Sequence, residues 1–471
     1  MIIEDKSNFL NRDTSVLDWN DRKIENDYLT LFHGLSPLHS LSNAIQFDKI
    51  VPQLSNLLNK KIANFTENQP VTHHHCRAPE NKELKQVLEF IQSVSSQKFS
   101  INGNPITHIC QIGIGGSISG PKAMYHALKS WNYPQQLTAS FISSQDEQHI
   151  ESILSEYNTK NTLFIIASKS GTTIEVIKSI ETIINKTGIK ETDFFNQCVT
   201  ITTKNSQLND EKYLNQFIFE ESVGGRFSTT SPIGTLILGL CFGESVVKEF
   251  LHGAYLTDQI ECSNKQIESN IAFQTAYLNV SYRNEFNWNQ LGIIPYGESF
   301  KEFSIFLVQL ISESLGKNIT ISGQESSLNN CPQIIYGLGP DAQHSFFQQL
   351  HQSKEITPCE FIFAKPQTPN QNHILQQICG QMVALAQGKE SIDAHSRFTG
   401  NRPSTLLYLK TQTAEALGSL VATYENRVMF ESFLLDINAF DQPGVELGKA
   451  LTKAITKSGS DLASQIYESI S

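Results

Sequence analysis

Residues 168–173 read Ser-Lys-Ser-Gly-Thr-Thr, which brings four hydroxyls and one ammonium into six positions. Gly171 lets the backbone turn left-handed and come close to a ligand. A phosphate dianion needs such a place: donors already aimed, at the positive end of a helix dipole. The same hydroxyls could simply cap a helix. A second set of backbone donors lies at 113–117, Gly-Ile-Gly-Gly-Ser, including Ser117. Its glycine spacing is not that of a dinucleotide fingerprint, and no Gly-Lys-Ser/Thr closes it as a P-loop. A third glycine pair, Gly224-Gly225, precedes Arg226, a planar cation that never loses its charge. That arginine could equally pair with a nearby carboxylate across the turn. Gln309 and Glu313 stand four apart, on one face of a helix. His344 follows in the next strand-helix crossing, where a lone His is as readily a core or surface imidazole. Lys449 falls in the first turns of a predicted helix, where a cation is disfavoured unless it faces an anion.

The elements that must carry these groups follow from periodicity. The unbroken apolar run at 163–167 predicts a strand buried on both faces, and Ile177, Ile180 and Ile184 predict a helix behind the 168–173 turn. Further strands are predicted at 107–114, 137–143, 198–203, 291–296, 333–337 and 360–365, and helices at 299–316 and 412–435. This alternation predicts an α/β chain with two doubly wound parallel sheets, ligands sitting at the strands' C-terminal ends. Residues 1–95 read as a mainly helical N-terminal segment, and a helical stretch is predicted at 264–279. The first α/β unit spans 96–250 and the second 251–440. The chain closes with a helical tail at 441–471, its last helix running from Val445 to near the end.

Composition bounds the partners. With 39% apolar and 18% charged residues the chain reads as globular, and no apolar run approaches the ~18 residues of a membrane span. Neither end carries a recognisable address signal, so a cytoplasmic protein without membrane contact is expected. A net charge of −11 without a basic block argues against nucleic acid. Eight scattered cysteines without a CxxC pair suit free thiols in a reducing compartment. The run His73-His74-His75-Cys76 is poorly spaced for one metal, because successive side chains point different ways. No metal and no cofactor is expected.

Taken together, the motifs resemble the phosphoglucose isomerase family. They are GIGGS at 113–117, SKSGTT at 168–173, VGGRFSTTSPIG at 223–234 and SESLGK at 312–317. In the same order follow AQHSFFQQLHQ at 342–352, FTGNRPS at 398–404 and FDQPGVELGK at 440–449. The segment at 64–77, which holds the triple histidine, resembles that family too. The resemblance implies two sugar-isomerase (SIS) domains, each with a five-stranded parallel sheet. It also implies a homodimer with its active sites at the subunit interface and His344 donated by the neighbouring subunit. It further implies that Ser117, Ser168, Lys169, Ser170, Thr172 and Thr173 hold a phosphate. Gly225 and Arg226 would sit at the C1 and C2 oxygens, and Gln309 and Gln442 would position the substrate. Glu313 would be the base, and His344 and Lys449 would open the sugar ring. The implied reaction interconverts glucose 6-phosphate and fructose 6-phosphate through a cis-enediol, in glycolysis and gluconeogenesis. A dual phosphoglucose/phosphomannose isomerase and a non-catalytic SIS-type sugar-phosphate sensor are the alternatives. The sensor has no need of Glu313, His344, Arg226 and Lys449 together.

Overall fold

The computed structural model describes residues 23–33, 47–96, 99–263, 270–455 and 461–471. Two sheets organise them. The first contains β3 (His108–Ile112), β4 (Thr138–Ile142), β5 (Thr162–Ala167), β6 (Cys198–Thr202) and β7 (Asn215–Ile218). Its order is β7-β6-β5-β3-β4, and every pair is parallel. The apolar run in β5 forms its central strand because both faces are covered. Leu163, Ile165 and Ala167 enter one apolar core and Phe164 and Ile166 the other, the period-two alternation of a sandwiched strand. β7 is an edge strand that the apolar pattern does not announce.

The second sheet contains β1 (Lys23–Glu25), β2 (Leu29–His33), β8 (Gln290–Pro295), β9 (Gln333–Tyr336), β10 (Cys359–Ala364) and β11 (Ser404–Leu409). Its order is β1-β2-β11-β10-β8-β9. Four strands run parallel, whereas β2 pairs antiparallel with β11 and β1 antiparallel with β2. The doubly wound class therefore holds, but the second sheet is mixed and six-stranded rather than five-stranded and parallel. The N-terminal stretch, expected to be mainly helical, supplies β1 and β2. Asn26 explains the turn between them: its side chain accepts from the N–H groups of Tyr28 and Leu29, at 2.9 and 2.8 Å. The returning strand covers the β11 edge, which would otherwise leave its backbone unpaired. Helices do occupy Phe47–Leu58 and Lys82–Ser95 within the same stretch.

One helix, Lys301–Leu315, joins the two units. It follows β8 and packs on the Ser119–Ser130 helix of the first unit, burying Phe303, Phe306, Leu307, Leu310 and Ile311. Of the helix expected at 264–279, residues 264–269 lie outside the described set, and the helix observed is Ile271–Asn284. The tail holds two helices, Glu446–Ala454 and Leu462–Ile470, in place of one continuous helix.

The triple histidine forms the short helix His73–Cys76. His73 stacks on Phe227 at 4.8 Å, with both ring nitrogens buried and unpartnered. His74 lies near Asp258 and Cys262, but Asn426 bonds both His74 and Asp258, and Arg77 takes the other Asp258 oxygen at 2.6 Å. Burial holds His73 far below the usual imidazole range and His74 down at about 4. Both are neutral when folded and gain protons when unfolded near pH 6.5. Their contribution to stability is full above that pH and is lost as pH falls toward 4. We expect the thermal midpoint to drop between pH 7 and 5, and the drop to be shallower in His73→Phe. An unchanged slope in that variant would show that His73 is not one of the responsible groups.

Candidate active site

β3 and β5 are neighbours, and their next partners, β4 and β6, lie on opposite sides. The crevice at such a switch point is the usual ligand site of an open α/β sheet. The two donor-rich turns of the sequence leave these two strands. Gly171 is left-handed (φ 71°), and a Cβ there would stand 2.6 Å from Ser206 Oγ, so the turn is built for glycine. Behind it the Ile174–Thr187 helix begins. Thr173, its N-cap, makes no side-chain bond to the first turn; its hydroxyl instead meets Ser168 Oγ at 3.1 Å. The first-turn N–H groups are thus left without a side-chain cap.

The third motif comes in by backbone contact. The turn Gly115–Ser117 lies so close to the turn Gly225–Phe227 that a Cβ on Gly116 would sit 2.0 Å from Gly225 O. This contact places Ser117 and Gly225 on one wall of a cavity of about 710 Å3. The same cavity is lined by Ser168, Lys169, Ser170, Thr173, Gln309, Glu313, Gln442 and Lys449. Ten of the thirteen residues singled out in the sequence therefore share it.

The other three are placed differently. Thr172 is exposed and bonds Ser170 Oγ at 2.9 Å. Arg226 is 1% exposed and stands behind the wall. His344 is exposed at the end of the Gly339–Gln343 helix and does not line the cavity. Lys449 lines the mouth, where its Nζ pairs with Glu446 Oε1 at 3.0 Å.

Arg226 organises the end of the cavity at Glu313. Its Nη1 donates to Glu313 Oε2 at 3.1 Å and to Gln442 Oε1 at 2.9 Å. Nε donates to Ser314 Oγ at 2.8 Å, and Nη2 to the carbonyls of Ala439 and Asp441, the latter at 3.0 Å. All five guanidinium donors are used. Burial pulls its pKa down while Glu313 and Asp441 oppose the shift; the group stays a cation. The second Glu313 oxygen accepts from Gln309 Nε2 at 3.1 Å, and Gln309 Oε1 accepts from Ser119 Oγ at 2.7 Å. A carboxylate fixed on both oxygens thus faces the cavity, with an arginine fixed on every nitrogen behind it. The sequence reading missed Ser119, Ser314 and the 439 and 441 carbonyls, because their roles depend on contacts that no local pattern encodes.

The family profile described as phosphoglucose isomerase matches residues 33–469. The chain belongs to the phosphoglucose isomerase family. A glucose-6-phosphate isomerase of Borreliella afzelii (strain PKo) is 36% identical over 93% of this chain and 87% of its own length. One from Treponema denticola is 36% identical over 89% of the chain and 84% of its own length. The crystal structure of a glucose-6-phosphate isomerase from Chlamydia trachomatis D/UW-3/Cx superposes with a TM-score of 0.84 at 29% identity, covering 93% of this chain and 90% of that one. The site divides between a donor-rich turn and an Arg–Glu pair.

Lys169 belongs to the first of these. Burial lowers its pKa, with Glu67 and Glu221 opposing. Its ammonium makes no hydrogen bond or ion pair among the described residues, and it lines the cavity. A half-buried, unpaired cation beside hydroxyls and a helix N-terminus is set to take an anion. We expect Lys169→Ala to weaken inorganic phosphate, measured as a competitive inhibitor, by at least about tenfold. Equal phosphate inhibition of variant and parent would remove the 168–173 turn as the anion site.

Proposed function

We propose that this chain interconverts glucose 6-phosphate and fructose 6-phosphate by the proton-transfer route its family motifs imply. The observation that carries the mechanism is the Arg226–Glu313 pair at 3.1 Å, whose carboxylate lines the cavity that the 168–173 turn also lines. The phosphate is held by Lys169, Ser117, Ser168, Ser170, Thr172 and Thr173. Its binding energy fixes the sugar far from the bonds that change. Gln309, Gln442 and Gly225 orient the C1 and C2 oxygens.

The hydrogen on C2 of the open-chain aldose is a weak carbon acid. Glu313 takes that proton and returns it to C1 through a cis-enediol(ate). Charge building on the carbonyl oxygen is met by the positive charge of Arg226 behind the wall, and preorganised electrostatic stabilisation of this kind contributes on the order of 3 kcal/mol, about a hundredfold in rate. The acceptors around the guanidinium keep it in place as that charge develops. Ring opening comes first and belongs to His344 and Lys449, which move a proton between the ring oxygen and the C1 hydroxyl.

His344 is exposed and outside the cavity of its own chain, which supports its supply by a second copy in a homodimer. No helix among the described residues is long and apolar enough to cross a membrane. A cytoplasmic place in glycolysis and gluconeogenesis fits that reading, as does a division of the chain near residues 95, 250 and 440.

The deciding assay couples glucose 6-phosphate formation from fructose 6-phosphate to a dehydrogenase, with mannose 6-phosphate in parallel. A comparable rate on mannose 6-phosphate would move the assignment to the dual enzyme. In Glu313→Gln, turnover and solvent-deuterium exchange at C2 should fall by at least about 100-fold while phosphate inhibition stays within a few-fold. Retained exchange would show that another group is the base. For the shared site, Glu313→Gln and His344→Ala chains are each expected to be nearly inactive. When mixed and reassembled, they should regain up to about a quarter of parental activity, because half the dimers are hybrids with one intact site of two. No regain on mixing would place His344 elsewhere.

A further inference from the structure

Lys317 lies two residues beyond the Lys301–Leu315 helix that carries Glu313. Its Nζ donates to the carbonyl of Glu313 and, at 2.8 Å, to the carbonyl of Asp441. The same ammonium stands 3.3 Å from Asp441 Oδ1, with the two side chains only 12% and 7% exposed. Asp441 in turn accepts at Oδ2 from Thr66 Oγ1 and, at 3.1 Å, from Asn438 Nδ2. Asn438 also reaches Asn64 Oδ1 at 2.9 Å. One ammonium thus ties together the helix of the base, the segment 438–442 and the turn at 64–66.

The Asp441 carbonyl that Lys317 binds is also an acceptor for Arg226 Nη2. Two cations converge on one oxygen, an arrangement that costs free energy unless anions are close. The groups facing Lys317 are Arg226, Asp441 and Glu313, and the two carboxylates offset the arginine. A lysine that merely capped its helix would bond the last carbonyls and stop there. This one crosses to the neighbour of Gln442, which itself accepts from Arg226. Lys317 does not line the cavity, so it acts through other residues.

We propose that Lys317 is a positioning residue that sets the distance between Arg226 and Glu313 by clamping the 438–442 segment to the end of the Lys301–Leu315 helix. The inference rests on the reading of Glu313 as base and Arg226 as the group that meets the oxygen charge. Without the clamp, the 441 carbonyl and Gln442 are free to shift, and the guanidinium moves with its acceptors. Misplacement by about 1 Å costs roughly 100-fold in rate. The phosphate end, held by a different sheet, is not involved.

The test is Lys317→Met and Lys317→Arg in the full chain, with the coupled fructose 6-phosphate assay. We expect Lys317→Met to keep KM and the inhibition constant of inorganic phosphate within about twofold while kcat falls by about 10- to 100-fold. In the parent, loss of the Lys317 proton at high pH opens the clamp, so kcat declines on the alkaline side; in Lys317→Arg that decline moves to higher pH. A Lys317→Met kcat within twofold of the parent overturns the proposal, and so does a loss shared equally by kcat, KM and phosphate inhibition. An alkaline limb unmoved in Lys317→Arg does the same, and that variant carries the test if the Met protein does not fold. An inactive Glu313→Gln beside a fully active Lys317→Met rejects this clamp alone; an active Glu313→Gln rejects the reading beneath it.

Discussion

A guanidinium cut off from water dictates the shape of this site. Arg226 is 1% exposed, so each of its five N–H groups must find a protein acceptor or remain an unsatisfied buried donor. Two acceptors, Glu313 and Ser314, are on the Lys301–Leu315 helix; three, Ala439, Asp441 and Gln442, are on the segment that follows the long Ala414–Leu435 helix. The arginine itself comes from the first α/β unit. Satisfying one side chain therefore fixes three distant pieces of chain against each other. It also leaves Glu313 on the cavity side of that junction, 26% exposed at its side chain.

The two ends of the cavity are built by different physics. The end at the 168–173 turn uses backbone geometry: a left-handed Gly171, an uncapped helix start and the contact of Gly116 with Gly225 O. The end at Glu313 uses side-chain networks drawn from across the chain. Glu313 lies ~18 Å along the helix axis from Lys301, so the second sheet reaches into the first unit's crevice by the length of one helix. That helix can be so placed because its apolar face, Phe303 to Ile311, packs into the same core as the Ser119–Ser130 helix.

This division explains what the sequence disclosed. Runs such as 163–167 are legible because a strand buried on both faces must be apolar throughout, and glycine turns are legible because few other residues fit them. The 168–173 turn and its strand could thus be placed from residues alone. Asn215–Ile218 and Leu29–His33 were not, since a short edge strand is defined by its partner: for Leu29–His33 the partner is Ser404–Leu409, at the far end of the chain. The nearest alternative for Arg226 was a carboxylate across its own turn; it pairs instead with Glu313, 87 residues on. Spacing holds no trace of such a contact, and only the resemblance to a known family joined the two. His344 lies a step further away, for a single copy of the chain does not bring it to the cavity at all.

The two sheets share the order of their first parallel strands, yet only one carries a turn rich in hydroxyls with a lysine. In the second sheet the corresponding crevice lies between β8 and β10, and a cavity of about 440 Å3 sits there. Its lining includes Glu298 and Asp341 and no lysine or arginine. Carboxylates at that position repel a dianion, so topology alone does not make a phosphate site. What separates the two crevices is the chemistry of a few loop residues: Ser-Lys-Ser-Gly-Thr-Thr after β5, against Tyr-Gly-Glu-Ser after β8. The second sheet contributes instead through the helix that leaves β8, whose final turns hold Gln309 and Glu313 over the crevice of the first. One sheet thus supplies the donor-rich turn and the other the carboxylate of Glu313, and the buried arginine between them keeps the two in register.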